Sequence, residues 1–334
     1  MSTDVDPRYR LAASQVLEER ATQITVLSKG VLDVTETGAA NDLWLASRRL
    51  RAALEVFRPC FGKAQYREGK AEARRISRAV GDRRDVDVVI GEFEAIREET
   101  APADAEGIDR VIANLRRDQA TANRALAQVV HGRRMQAFRV RIEEIADSAG
   151  EGDVVDRPVL VGPVETVSPD VAGLVARRLA RLRREAADSL EADGVKAQQR
   201  MRVAAERLRY ALELTGDALG TQAHTARRAA RGLQEVLGEM RDCDLAVPPA
   251  RKAIAELEGE DVATIIERSR GSRDLDPVLV QAAPNRAAYR GLELAVVHLT
   301  ARHQMLFERF KRLWHEQSRQ GVWVALETSL KVES

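Results

Sequence analysis

Cysteine is scarce in this 334-residue chain: Cys60 and Cys243 are the only two. They are neither clustered nor spaced like zinc ligands, and their low number points to a reducing compartment. Aromatic residues make up 4% of the chain, too few for a typical β-sandwich or barrel, whose strands favour them. The longest apolar runs are a handful of residues, well short of the roughly 20 that span a bilayer. No N-terminal stretch pairs a basic start with an apolar core, so no secretory signal is expected. Net charge is also nearly absent, because 53 Lys and Arg balance 52 Asp and Glu to leave +1. That balance excludes a uniformly basic nucleic-acid coat, an acidic solvating tail and a disordered chain of high net charge. The expectation is a cytoplasmic protein with no membrane segment and a sizeable core, since 44% of the residues are hydrophobic.

Lysine is scarce too. Only seven of the 53 basic residues are lysine, so 46 are arginine. A GC-rich genome produces this bias, and so does selection for the two-pronged guanidinium fork that grips phosphate oxygens. Composition alone does not choose between them.

Long stretches of Ala, Leu, Arg and Glu free of proline predict an all-α protein. The pattern predicts helices near 8–29, 40–57, 64–80, 85–98, 103–130 and 132–147, then 170–192, 196–217, 222–240, 250–268 and 285–319. Pro248 and Pro249 are expected to end a helix, because proline removes a donor and clashes with the preceding turn. The stretch 148–169 holds Pro158, Pro163 and Pro169 with three glycines, and reads as a linker, extended or in a short hairpin.

The two sides of that break resemble each other. SRRLRAALE (47–55) matches AERLRYALE (205–213) at an offset of 158, and VGDRRDVD (80–87) matches LGEMRDCD (237–244) at 157. Two blocks in the same order with nearly equal offsets point to a duplication. The expected organisation is a first helical bundle over 8–147, a linker over 148–169, a second bundle over 170–319 and a tail over 320–334. The two bundles should pack about a pseudo-twofold axis.

On the first block, Asn41, Trp44, Arg48, Arg51 and Glu55 fall within one arc at 100° per residue. Leu43, Ala46, Leu50, Ala53, Leu54 and Phe57 form the opposite, core-facing stripe. The second block repeats the arc as Gln199, Arg202, Glu206, Arg209 and Glu213, with Met201, Ala204, Leu208, Ala211 and Leu212 behind it. The next helix of each half carries another line: Arg67, Lys70, Arg74 and Arg78, then His224, Arg227, Arg231 and Glu235. If these lines face a common groove, their mutual repulsion calls for an anion. The competing reading is that they are ordinary solvated faces with i,i+4 pairing.

The two RDxD runs, Arg84–Asp87 and Arg241–Asp244, admit a hard-cation site, but helix starts explain them better, because Asp there caps free amides. No phosphate-binding glycine loop, zincin motif or nucleophile elbow is present. His131, His224, His298, His303 and His315 form no ligand pattern. No catalytic residue, metal site or cofactor is therefore expected.

The repeated blocks resemble the CHAD domain, the conserved histidine α-helical domain. Its signatures are a helix H-x-x-R-x-x-x-[RK]-R-L-R and a following L-G-x-x-R-D-x-D, once in each half. They match here as NDLWLASRRLRAALEVFRP with AVGDRRDVDVV, and as QQRMRVAAERLRYALEL with LQEVLGEMRDCDL. The resemblance implies two antiparallel four-helix bundles with a basic groove between them. That groove would bind inorganic polyphosphate without catalysis and could direct the protein to polyphosphate granules.

Several signature positions differ. Asn41 and Gln199 replace the histidines, Trp44 replaces an arginine, and Glu206 replaces a basic residue that the first half keeps as Arg48. Carried over by position, the resemblance implies Arg48, Arg51, Lys70, Arg74, Arg202, Arg209, Arg227 and Arg231 as polyphosphate ligands, with Asn41, Gln199, Arg67 and His224 as additions. The alternative is a scaffold that has lost the ligand and meets a protein partner or a second copy, with Trp44 as an anchor. Nucleic acid is a weaker candidate, because few aromatics are available for base stacking. An enzyme role ranks last, as the E-x-E-x-K strand of triphosphate-tunnel relatives is missing.

Overall fold

The computed structural model describes residues 5–36, 38–150, 169–216 and 218–332. The described residues are all-α, with eleven α-helices: α1 (Pro7–Leu27), α2 (Ala39–Val56), α3 (Lys63–Glu99), α4 (Ala105–Val130), α5 (Gly132–Gly150), α6 (Pro169–Ser189), α7 (Val195–Thr215), α8 (Gly220–Arg268), α9 (Pro277–Gln281), α10 (Arg286–Arg319) and α11 (Val322–Val332). Short 3-10 turns lie at Arg58–Cys60 and Pro102–Asp104. Residues 151–168, where an extended or hairpin linker was expected, lie outside the described residues. Residues 148–150 complete α5, and Pro169 opens α6.

Local chemistry explains where helices begin. At α1, the Asp6 side chain accepts a hydrogen bond from the Arg8 amide at 2.8 Å, and Pro7 occupies the first turn, where a missing N–H costs nothing. α2 buries the stripe read from its periodicity: Leu43, Leu50, Ala53, Leu54 and Phe57 are fully buried. Each such leucine contributes about 1.5–3 kcal/mol by leaving water. The matching stripe of α7, from Met201 to Leu212, is buried as well.

Two pairs of expected helices are merged, and α9 and α11 form where no helix was expected. Residues 63–99 form one helix, not two, and so do residues 220–268. α8 runs through Pro248 and Pro249, so these prolines do not end it. The residues around them, Ala246, Ala250, Ala253 and Leu257, are all buried. Their packing holds the segment helical despite two lost backbone donors. In α3, Gly81 lies against the Trp44 indole, whose nearest atom would be 3.4 Å from an added Cβ.

The continuity of α3 and α8 overturns the helix-start reading of the RDxD runs. Asp85 receives a two-pronged bond from Arg241, at 2.9 and 2.6 Å. Asp87 accepts from Gln119 at 2.7 Å, and Asp244 faces His303 at 3.4 Å. These carboxylates join helix to helix instead of capping amides. Among the described residues, no group of three or more His, Cys, Asp or Glu side chains is placed to hold a metal. The segment expected as a tail, 320–334, contains α11, whose Trp323, Leu326 and Leu330 are buried.

The chain divides into two compact units. The first comprises Met1–Arg84, Ala122–Gly238 and Phe307–Ser334; the second comprises Asp85–Thr121 and Glu239–Leu306. Each unit draws on residues from both sides of the 148–169 break. In the first, α1 packs on α2 and α5, α6 on α7 and α11, and α2 on α7. Tyr9 donates to the Val56 carbonyl at 2.7 Å and stacks obliquely on Phe57 at 4.9 Å. The second unit has its own core, built on Phe93, Ile108, Val111, Leu257, Leu292 and Leu299. There the chain comes close at glycine: a Cβ on Gly291 would lie 1.8 Å from the Asp104 carbonyl oxygen. No helix among the described residues is long and apolar enough to cross a membrane.

Candidate anion-binding site

The site lies in the first unit, where α2, α3, α6 and α7 approach one another. Arg51 comes from α2, Arg58 from the turn after it, Lys70 and Arg74 from α3, Arg177 and Arg178 from α6, and Arg207 from α7. Together they line a cleft of about 470 Å³. Glu55 is the one carboxylate among its described lining residues. Seven cations against one anion is a repulsive arrangement in the absence of a ligand.

That repulsion is visible at Arg51. Its guanidinium is pushed below the usual arginine range by burial first, then by Arg48, with Arg207 and Arg74 adding to the effect and Glu55 opposing it. Its buried Nε has no hydrogen-bond partner among the described residues. Two other cations are organised by an aromatic ring. Arg58 and Lys70 each lie 5.2 Å from the Tyr66 ring centroid, and Lys70 donates to the Tyr66 hydroxyl at 2.9 Å. A smaller pocket next to the cleft shares Arg51, Arg178 and Arg207 with it and adds Arg48, Glu206 and Tyr210.

The structure divides the residues inferred from sequence. Arg51, Lys70 and Arg74 line the cleft, and Arg48 lines the adjoining pocket. Arg202, Arg209, Arg227, Arg231, Asn41, Arg67 and His224 line neither. Gln199 lines a third pocket, with Arg178, Arg181, Arg200 and Arg207.

Carboxylates explain much of the division. Glu206, 1% exposed, pairs with Arg48 and with Arg202, whose Nη1 lies 3.7 Å away. Arg202 is itself buried, and its Nε donates to Gln199 at 2.9 Å. Arg209 donates to Gln234 at 2.7 Å and faces Glu213 at 3.4 Å. Arg231, on the surface, pairs with Glu235 at 2.7 Å. The arc of α7 is thus neither a solvated face nor a row of free cations. It is a largely buried network closed on its own helix, on α2 and, through Gln234, on α8.

Trp44 is buried as well, at 9% exposure, so it offers no anchor to a partner. Its ring lies under two guanidinium groups, with Arg48 at 4.5 Å and Arg84 at 5.4 Å from the centroid.

Four of the seven cleft cations, Arg58, Arg177, Arg178 and Arg207, are not among the residues inferred from sequence. Arg177 and Arg178 lie in the arginine-rich run ARRLARLRR (176–184), which has no counterpart in the repeated blocks. Arg207 stands where the first block has Arg49. The run itself was the available signal. Its meaning depends on which helix α6 packs against.

The family model for the CHAD domain matches residues 15–248. No curated protein matches the chain in sequence. Among solved structures, it is similar to the crystal structure of the CHAD domain from the plant Ricinus communis, at 20% identity and a TM-score of 0.55, covering 88% of this chain and 94% of that one. It is also similar to PptA from Streptomyces chartreusis, at 16% identity and a TM-score of 0.56, covering 91% and 98%. At these identities the structural likeness is one of fold. The family match extends over more than half of the chain and includes α2, α3, α6 and α7, which build the cleft, and on that ground the chain belongs to the CHAD domain family.

Proposed function

We propose that the cleft binds inorganic polyphosphate without chemical change, and that this binding can hold the protein at polyphosphate granules. CHAD domains are generally non-catalytic binding domains, and the family is associated with polyphosphate. The observation that carries the reading to this chain is the convergence of seven cations from both sides of the 148–169 break on one cleft with a single carboxylate. A flexible polymer with about one negative charge per unit can meet several guanidinium groups in succession, and each fork can take two oxygens of one phosphate. In this reading residues 8–147 and 170–319 are repeated bundles that each supply one wall. Arg51, Lys70, Arg74 and Arg207 stand at family positions, and Arg58, Arg177 and Arg178 take the place of the arginines that carboxylates neutralise.

The test is a titration of labelled long-chain polyphosphate at low ionic strength, with single-stranded RNA as competitor. Saturable binding that excess RNA fails to displace is the expected result. No binding at low salt refutes the assignment.

That negative outcome would favour a second reading, in which the protein keeps the CHAD scaffold as an interaction module. The observation behind it is Glu206, buried between Arg48 and Arg202 where the family carries a basic residue.

A further inference from the structure

Glu55 is the exception in the cleft. Its side chain is 16% exposed, and each oxygen meets a cation from a different helix. Lys70 Nζ, from α3, lies 3.1 Å from Oε1, and Arg178 Nη2, from α6, donates to Oε2. One carboxylate thus presents two oxygens to two cations, much as a bound phosphate would. We propose that Glu55 is a resident counter-anion that occupies part of the anion site and sets its affinity, an inference that rests on the polyphosphate reading above.

An incoming phosphate chain meets seven cations, but Lys70 and Arg178 already share one carboxylate, so it must displace that carboxylate or share them with it. The carboxylate also relieves the repulsion around Arg51 that would otherwise favour the ligand. Burial pushes the Glu55 carboxyl up, but Arg178 and Lys70 outweigh it and hold the group below the usual carboxylate range. The counter-charge is therefore permanent at neutral pH.

The same position in the second block is Glu213, which serves as a control. It pairs with Arg49 at 3.2 Å and Arg209 at 3.4 Å, and it is not among the cleft-lining residues. Glu55→Gln and Glu213→Gln change the net charge by the same amount, so they separate a site effect from a general one.

The experiment measures polyphosphate affinity and thermal stability for wild type, Glu55→Gln and Glu213→Gln. One unit charge removed from a largely buried site beside the bound phosphates should raise affinity on the order of tenfold. Glu213→Gln should stay within about threefold of wild type, because its charge lies outside the cleft. Without ligand, Glu55→Gln should melt lower than wild type, and polyphosphate should raise its melting temperature more. Equal or weaker binding by Glu55→Gln, with wild type still binding, overturns the counter-anion role and leaves the polyphosphate assignment intact. If Glu55→Gln is unfolded at rest, refolding on addition of polyphosphate supports the proposal, and failure to refold makes Glu55 a structural staple and overturns it. Failure of the wild type to bind removes both readings.

Discussion

Salt is the perturbation that measures how many of the cleft cations engage the polymer. Seven cations line the cleft, and Glu55 offsets one. If about six phosphates are neutralised, the slope of log affinity against log salt should be about −4, taking the ~0.7 per phosphate of single-stranded nucleic acids. Between about 50 and about 200 mM salt, that slope weakens binding on the order of 250-fold. Arg51, Arg74 and Arg207 make no ion pair within 4 Å among the described residues, so replacing all three with alanine strands no carboxylate. Losing about three phosphate contacts should bring the slope to about −2, so that the same rise in salt costs only about 16-fold. The assay is fluorescence anisotropy of end-labelled polyphosphate across a salt series, with circular dichroism to show that the triple variant is folded. A slope near zero for wild type, or one unchanged by the triple substitution, would refute the claim that these side chains hold the polymer.

Other predictions concern the scaffold. Glu206→Ala should destabilise the fold by about 3–5 kcal/mol, because it removes from Arg48 and the buried Arg202 their shared carboxylate; chemical denaturation reads this directly. Gly291→Ala should cost at least about 1–3 kcal/mol, since its Cβ would lie 1.8 Å from the Asp104 carbonyl oxygen. Gly238→Ala, inside α8 with nothing within 4 Å of the added Cβ, should instead stabilise by up to about 1 kcal/mol. Burial pushes the Cys60 thiol up to about 12 and the Cys243 thiol up to about 11. The thiolate is the reactive form, so neither cysteine should be alkylated by iodoacetamide at about pH 8 until the protein is unfolded, as peptide mass mapping would show. Rapid labelling of either cysteine in the native state would contradict its burial.

The helices were legible in the sequence because their signal is local. The stripe from Leu43 to Phe57 repeats at helical period whatever lies opposite, and all six of its residues are buried. Elsewhere local preference yields to packing. Pro248 and Pro249 look like a stop, yet the buried alanines around them keep α8 continuous. The RDxD aspartates look like caps at helix starts. Instead, they lie within continuous helices, and Asp85 holds the Arg241 fork. α11 follows the positive-φ Gly321 in a stretch that reads as a tail, yet it buries Trp323.

By itself the sequence determined that the chain is helical, which faces are apolar, that two blocks recur, and that arginine dominates its positive charge. Those properties depend on residues within a turn or two of one another, or on matching one stretch of chain to another. Only the tertiary structure decided which arginines remain available to an anion. Arg202 and Arg209 look equivalent to Arg51 along the helix, but Glu206, Glu213 and Gln234 take up their charge or their donors. Arg177 and Arg178 lie outside the signatures, and Arg207 lies within one beside Glu206, yet all three reach the cleft because α6 packs on α7, and α7 on α2. Charge acts over a few ångströms of space regardless of sequence separation, so a cationic site exists only once the helices that share it are in place.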